Sequence, residues 1–441
     1  SSKLITPLNY DDHLDKINEC DWIVEVISER LDWKHDLYKK ILPHINDNCI
    51  ITSNTSGLSL ESLSKDLPDN FLDKFFITHF FNPPRYMKLV EIISSSKTNK
   101  DLVNVMDGFL TDVLGKNVVH AKDTPNFIAN RIGVYGMMVT LHESKKRKLS
   151  IEDVDAITGT LIGRPKSATF RTADVVGLDT MCFVANTAYN DCPDDPERDI
   201  FKLPDYIQKM IDNKWLGQKT KQGFYKKIDK GVIHSLDLDS MEYKPMNKKK
   251  YSAFSIAKEN TYLKDRLNAV VRVDDVAGEF LWICFAKSLA YSANLLGTIA
   301  DDTISIDNAM KGGFGWELGP FEVLDAIGIE YFVDRCKNEN IKLPEWLISM
   351  PKNNAKSIYT YIDGVKHSYD FKIADYSKVI DNEKVIDFNN LKSNNMLIDR
   401  HWSASLYDLG DGVASIKLHS VLKPELNPID GSMMQVFAKS L

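Results

Sequence analysis

Residues 21–54 read DWIVEVISERLDWKHDLYKKILPHINDNCIITSN, and the folding of this stretch decides the class of the molecule. Two apolar runs, DWIVEVI and CIITSN, bracket the helical stretch WKHDLYKKILPHI. Further on, FFITHFF and KLVEII repeat the strand-like texture. Strands polar only at isolated points and separated by helices predict a parallel sheet covered on both faces, an α/β fold.

Working outward, the 441 residues are too many for one ordinary core and predict about three domains. A composition of 43% hydrophobic and 27% charged residues is that of a globular protein, and no apolar run approaches the roughly 18 residues that cross a bilayer. The net charge of -7 argues against nucleic acid as a partner. The run Lys248-Lys249-Lys250 reads as a solvated loop. Six scattered cysteines with no CxxC pair and no His cluster predict reduced thiols and no metal site.

From Asp123 the texture turns helical: Thr124-Pro125 reads as an N-cap with proline in the first turn of a long helix reaching toward Glu143. Gly133 and Gly136 lower its helix propensity, which predicts close approach of another backbone. A second helical block spans about Leu263 to Cys336. SIEDVDAI, GRP and ADVVGLD in residues 150–179 are echoed by SIDNAM, GGF and GPFEVLDAIG in residues 305–328, which predicts a duplicated domain. Asp363-Gly364 and Gly410-Asp411-Gly412 are hairpin signals, and the second has few residues after it.

Two groups stand out chemically. His79 lies in FFITHFFNPP and Glu91 in KLVEII, both apolar runs in which an unpaired polar group is costly. Paired, each satisfies the other: the carboxylate holds one ring nitrogen and the second is free to accept a proton, as a general base requires. The bland alternative is a structural histidine. Asn54 and Ser56 follow the strand CIIT, at the strand ends where α/β sheets bind ligands, or Ser56 simply caps a helix. Asn130 shares a helix face with Phe127 and Val134, so its amide either ties helices together or meets a substrate oxygen.

The strings SNTSGL, HFFNPP, KLVEII, KDTPNFIANR and GQKTKQGFY, in this order and spacing, resemble NAD-dependent 3-hydroxyacyl-CoA dehydrogenases of the kind fused to an enoyl-CoA hydratase (crotonase) domain. The resemblance runs from Asp21 to about Gly328. It implies His79 as catalytic base, Glu91 as its orienting carboxylate, and Ser56 and Asn130 around the reacting oxygen. It also implies Glu29, Lys34, Asn54, Asn82 and Lys219 at the NAD site, the last dependent on domain closure. The substrate implied is an acyl-CoA, with a thiolase partner in a β-oxidation complex and a cytoplasmic setting. The expected architecture is an incomplete Rossmann-type sheet (1–122), a first helical domain (123–228), a linker (229–262), a second helical domain (263–372), a linker (373–400) and the start of a crotonase-like domain (401–441). The family opens with a GxGxxG turn. No such motif occurs here, so the expectation is a chain incomplete at both ends, with cofactor binding weakened. Two rivals remain: a hydroxy-acid dehydrogenase, which would more commonly use lysine as base, and a non-catalytic CoA-ester-binding or assembly fragment.

Overall fold

The computed structural model of the chain describes residues 2–247, 249–379, 386, 388–419 and 429–440, and they divide into two units, Ser1–Lys356 and Ser357–Leu441. Of the basic run, Lys248 lies outside the described residues. In the first unit, β1 (Trp22–Glu25), α1 (Leu31–Ile41), β2 (Ile50–Ser53), α2 (Leu60–Leu63), α3 (Asp69–Leu72) and β3 (Phe75–Phe80) form a parallel arrangement. Next come β4 (Leu89–Ile93), α4 (Lys100–Gly108) and β5 (Asn117–His120), completing a sheet of order β1-β2-β3-β4-β5. One face packs Tyr38, Leu63, Phe71 and Ile77, the other Phe76, Val90, Ile92 and Leu110. The sheet is therefore buried on both faces, as the unbroken apolar runs predict.

One pair departs from the parallel expectation: β4 runs antiparallel to β3. The connection over residues 81–88 is too short for the dozen or more residues of a parallel crossover, so the chain folds straight back. This reversal sets His79 directly opposite Glu91, and directly opposed residues of an antiparallel pair project on the same face.

The helices of the unit are α5 (Ala129–Lys146), α6 (Ile151–Thr158), α7 (Phe170–Val176), α8 (Leu178–Asp191) and α9 (Asp205–Asp212), then, after the strands below, α10 (Ser252–Glu259), α11 (Leu263–Val270), α12 (Val276–Leu295), α13 (Thr303–Phe314), α14 (Pro320–Ile327), α15 (Ile329–Asn338) and α16 (Glu345–Ser349). The internal echo is structural. Asp155 in α6 accepts the backbone N–H groups of Thr169, Phe170 and Arg171, and Asp307 in α13 accepts those of Phe321 and Glu322. Each aspartate, Asp155 half-buried and Asp307 buried, thus receives the start of the following helix. Gly177 and Gly328 both stand at left-handed φ, 100° and 95°, where α8 and α15 begin; a side chain at either position would be strained.

Three differences from the sequence reading have local causes. The long helix starts at Ala129, not Thr124, because Asn126 and Phe127 take positive φ and form a turn ahead of it. Gly133 faces a side chain, not a backbone: a Cβ there would lie 2.0 Å from the Phe314 ring, while one at Gly136 would meet only Ser288 Oγ at 3.5 Å. The 229–262 segment is structured, with β6 (Tyr225–Asp229), β7 (Val232–Leu236) and β8 (Tyr243–Pro245) forming an antiparallel sheet before α10. Lys249 there donates its backbone N–H to Asp153.

The second unit contains β9 (Tyr359–Ile362), β10 (Val365–Asp370) and β11 (Asp375–Lys378) as one sheet and β12 (Leu397–Arg400), β13 (Ala404–Gly410) and β14 (Val413–Leu418) as another, with α17 (Phe388–Ser393) and α18 (Gly431–Ser440). Strands 359–378 therefore belong to this unit, and the division falls at Lys356, not at 372. Asp363 and Gly364 both have positive φ, the requirement of a tight two-residue hairpin.

Candidate active site

Glu91 is fully buried, and both of its oxygens are engaged. Oε2 lies 2.7 Å from His79 Nδ1, while Oε1 accepts the backbone N–H groups of Ile128 at 3.1 Å and Ala129 at 2.9 Å. Those donors are the buried start of α5, whose N–H groups have no partner within the helix, so the helix is capped by a carboxylate from the sheet 37 residues earlier. The carboxylate thus meets two N–H donors at the positive end of a helix in a dry place. The imidazole packs against Phe81 and Phe127, with ring centroids 4.6 and 5.6 Å away. Its Nε2 makes no hydrogen bond among the described residues.

Ser56 lies on the loop after β2 and Asn130 in the first turn of α5. The 54–57 loop follows β2, and Asn54 Oδ1 accepts the backbone N–H of Phe80, next to His79, at 2.8 Å. Asn130 follows the two residues that cap onto Glu91. Both Ser56 and Asn130 are half-buried, and neither side chain has a protein partner among the described residues. The same loop abuts the turn before α5: a Cβ at Gly57 would lie 3.4 Å from Asn126 Oδ1.

The residues expected at a cofactor fall into four groups. Glu29 Oε1 gathers the 55–57 loop, accepting from Thr55 Oγ1 at 2.5 Å, Ser56 N at 2.8 Å and Gly57 N at 3.1 Å. Asn54 and the exposed Asn82 stand at the ends of β2 and β3. Lys34 is different: it is only 1% exposed, and its Nζ bonds both oxygens of Glu25 at 2.8 Å, with Glu29 Oε2 at 3.6 Å. Lys219, on the helical side, pairs with Asp179.

The sequence reading passed over Glu25, which ends β1 and also accepts from Tyr38 Oη at 3.0 Å, Ser53 Oγ at 2.6 Å and the Ile27 N–H at 2.7 Å. Burial, followed by the Glu25 charge, pushes the Tyr38 phenol far up, so it remains a neutral donor. The signal was present: Glu25 interrupts DWIVEVI just as Glu91 interrupts KLVEII. Breaking such a pair by removing one partner costs about 3–5 kcal/mol. Glu25, Lys34 and Glu29 thus form a chain of contacts beneath the 54–57 loop.

A mostly parallel nucleotide-binding sheet joined to paired helical repeats, with a His–Glu pair where the two meet, defines an α/β dehydrogenase. Residues 1–124 match the NAD binding domain of 3-hydroxyacyl-CoA dehydrogenase and residues 127–227 its C-terminal domain. The chain belongs to the 3-hydroxyacyl-CoA dehydrogenase family. It is 43% identical over its whole length to a Bacillus subtilis protein named as a probable 3-hydroxyacyl-CoA dehydrogenase, covering 55% of that protein. It is 32% identical over 87% of its length to a Rickettsia felis protein named as a candidate fatty acid oxidation complex trifunctional enzyme, covering 52% of it. The chain therefore spans about half the length of these curated relatives. In fold it is similar to Escherichia coli 3-hydroxybutyryl-CoA dehydrogenase, with a TM-score of 0.56 at 19% identity over 77% of this chain and 82% of that one. No helix among the described residues is long and apolar enough to cross a membrane.

Proposed function

We propose that the chain carries out, within the full product of its gene, the reversible NAD-dependent oxidation of (3S)-3-hydroxyacyl-CoA to 3-oxoacyl-CoA in fatty acid β-oxidation. The observation that supports this reading best is the buried His79–Glu91 pair with Nε2 of the ring left free. His79 accepts the proton of the 3-hydroxyl group, and Glu91 stabilises the imidazolium that forms. Ser56 and Asn130, whose polar ends have no protein partner, hold the oxygen as it becomes a carbonyl. In the opposite direction the imidazolium returns the proton.

NAD, when bound, accepts the hydride from the same carbon. The residues at the strand ends fit such a group. Asn54 has its amide nitrogen unpartnered among the described residues, and Glu29 fixes the loop beside it. Asn82 and, on closure of the helical part, Lys219 complete the set. Lys34 serves the site through Glu25 and Glu29, because its ammonium is consumed internally. The trifunctional name of the Rickettsia felis relative supports an acyl-CoA substrate and a thiolase partner, and six free cysteines support a cytoplasmic setting. The start of a crotonase-like domain at 401–441 remains our reading of the β13–β14 hairpin.

The test is NADH consumption with acetoacetyl-CoA, run on the chain and on the full product of its gene. Turnover by the full product, abolished by His79→Ala without loss of folding, is the expected result. Absence of turnover in both removes the reading.

A further inference from the structure

Next to Asn130, Arg131 points away from the sheet and is buried. Its Nε donates to Tyr291 Oη of α12 at 2.7 Å, one terminal nitrogen pairs with Asp195, and the other donates to the Pro125 carbonyl at 3.3 Å. Tyr291 Oη donates in turn to Asp195 at 2.6 Å, and its ring stacks on Tyr135 with centroids 3.7 Å apart. Burial pushes the Tyr291 phenol well up, so it stays a neutral hydroxyl able to accept from arginine and donate to aspartate at once.

What this cluster grips is the turn before α5. Asn126 and Phe127 both sit at left-handed φ, 64° and 49°, which for residues with a Cβ costs about 1–2 kcal/mol each. Such a turn persists only where its surroundings hold it. Asn126 Nδ2 donates to the Val184 carbonyl at 2.9 Å, and Arg131 holds Pro125. The turn in turn aims the Ile128 and Ala129 N–H groups at Glu91 and sets where Asn130 begins.

We infer that Tyr291, from the second helical copy, and Asp195 are positioning residues for the His79–Glu91 pair, acting through Arg131 and the 124–127 turn. The inference rests on the function proposed above. It means that the first copy's site is completed by a hydroxyl from the second.

The experiment uses the full gene product with Tyr291→Phe and Asp195→Asn, and Tyr331→Phe as a tyrosine of the second copy outside the cluster. Expected for Y291F and D195N is a fall in kcat of roughly tenfold with the KM for NADH unchanged. The low-pH limb of kcat/KM in the oxidative direction should move to higher pH, because a Glu91 released from its N–H donors holds the imidazolium more tightly. Y331F should match the parent. A lower Tm with kcat and the pH limb unchanged in the folded protein would overturn the inference, leaving the cluster purely structural. If the parent turns over and Y291F and D195N are both indistinguishable from it, only this inference fails; if the parent does not turn over, the functional reading fails and takes this one with it.

Discussion

In the first helical copy the long helix α5 starts on a carboxylate borrowed from the sheet, Glu91, whereas its counterpart α12 starts on its own Asp275, whose side chain accepts the Gly278 N–H at 2.8 Å. The remaining devices are shared: an aspartate receives the next helix in each copy, and a glycine of positive φ opens the one after. The difference teaches which part of a duplicated module the proposed function assigns to chemistry. A cap worth about 1 kcal/mol in one copy is, in the other, a group that also holds His79.

The comparison is broken most severely at the caps. Glu91→Gln keeps an acceptor for the α5 N–H groups but loses the charge facing His79, and kcat should fall on the order of 100-fold or more in the NADH assay. Asp275→Asn should leave kcat within about twofold and lower stability by about 1 kcal/mol in a urea titration. Equal effects of the two on kcat would mean that the caps are interchangeable and that Glu91 has no chemical role.

A smaller contrast lies at the paired glycines. Gly328→Ala meets open space, so only backbone strain acts, and a loss of about 1–2 kcal/mol in urea is expected. Gly177→Ala adds a clash, because its Cβ would lie 2.8 Å from Asp179 Oδ1 and 3.1 Å from Lys219 Nζ. It should cost more stability and raise the KM for NADH, which G328A should not. An unchanged KM in G177A would detach Lys219 from the cofactor.

Much of this was readable beforehand, and the exceptions share a cause. The apolar runs disclosed the sheet, and the repeated strings disclosed the duplication, because burial and turn chemistry are written locally. The start of α5 was not readable: its cap lies on another element, and sequence shows no reason to place Glu91 beneath Ile128. Lys34 was expected at the cofactor through the resemblance, and nothing in the sequence shows that its ammonium is held by Glu25 of β1. Arg131 and Tyr291 stand 160 residues apart, a separation that no helical or strand period can bridge. The reversal of β4 was readable in principle from the short 81–88 connection.

The smallest expected effect concerns pH. Burial pushes the carboxyl of Asp155 up to about 6 against the hydrogen bonds from Phe170, Tyr225 and Arg171 that pull it down. A carboxyl with a raised pKa binds its proton more tightly in the folded state. Its stabilising contribution is therefore present below the unfolded value of about 4 and is lost as the pH rises through about 6. Asp155→Asn should lower Tm overall yet remove this slope, so the Tm difference between parent and variant should shrink from pH 4.5 to pH 6.5. A difference that stays constant or widens would show that the carboxyl is ionised throughout.

One carboxylate joins the histidine to the first turn of α5: the sheet holds both members of the pair, and the helix supplies the N–H groups that occupy the carboxylate's other oxygen. Seating the helix completes the surroundings of Glu91, so under the proposed function turnover would double as a report on assembly. A shift of the start of α5 would change what the Glu91 carboxylate, and through it the imidazole, has around it. On that reading, residues that merely pack the helix are held to the same standard as those proposed to meet the substrate.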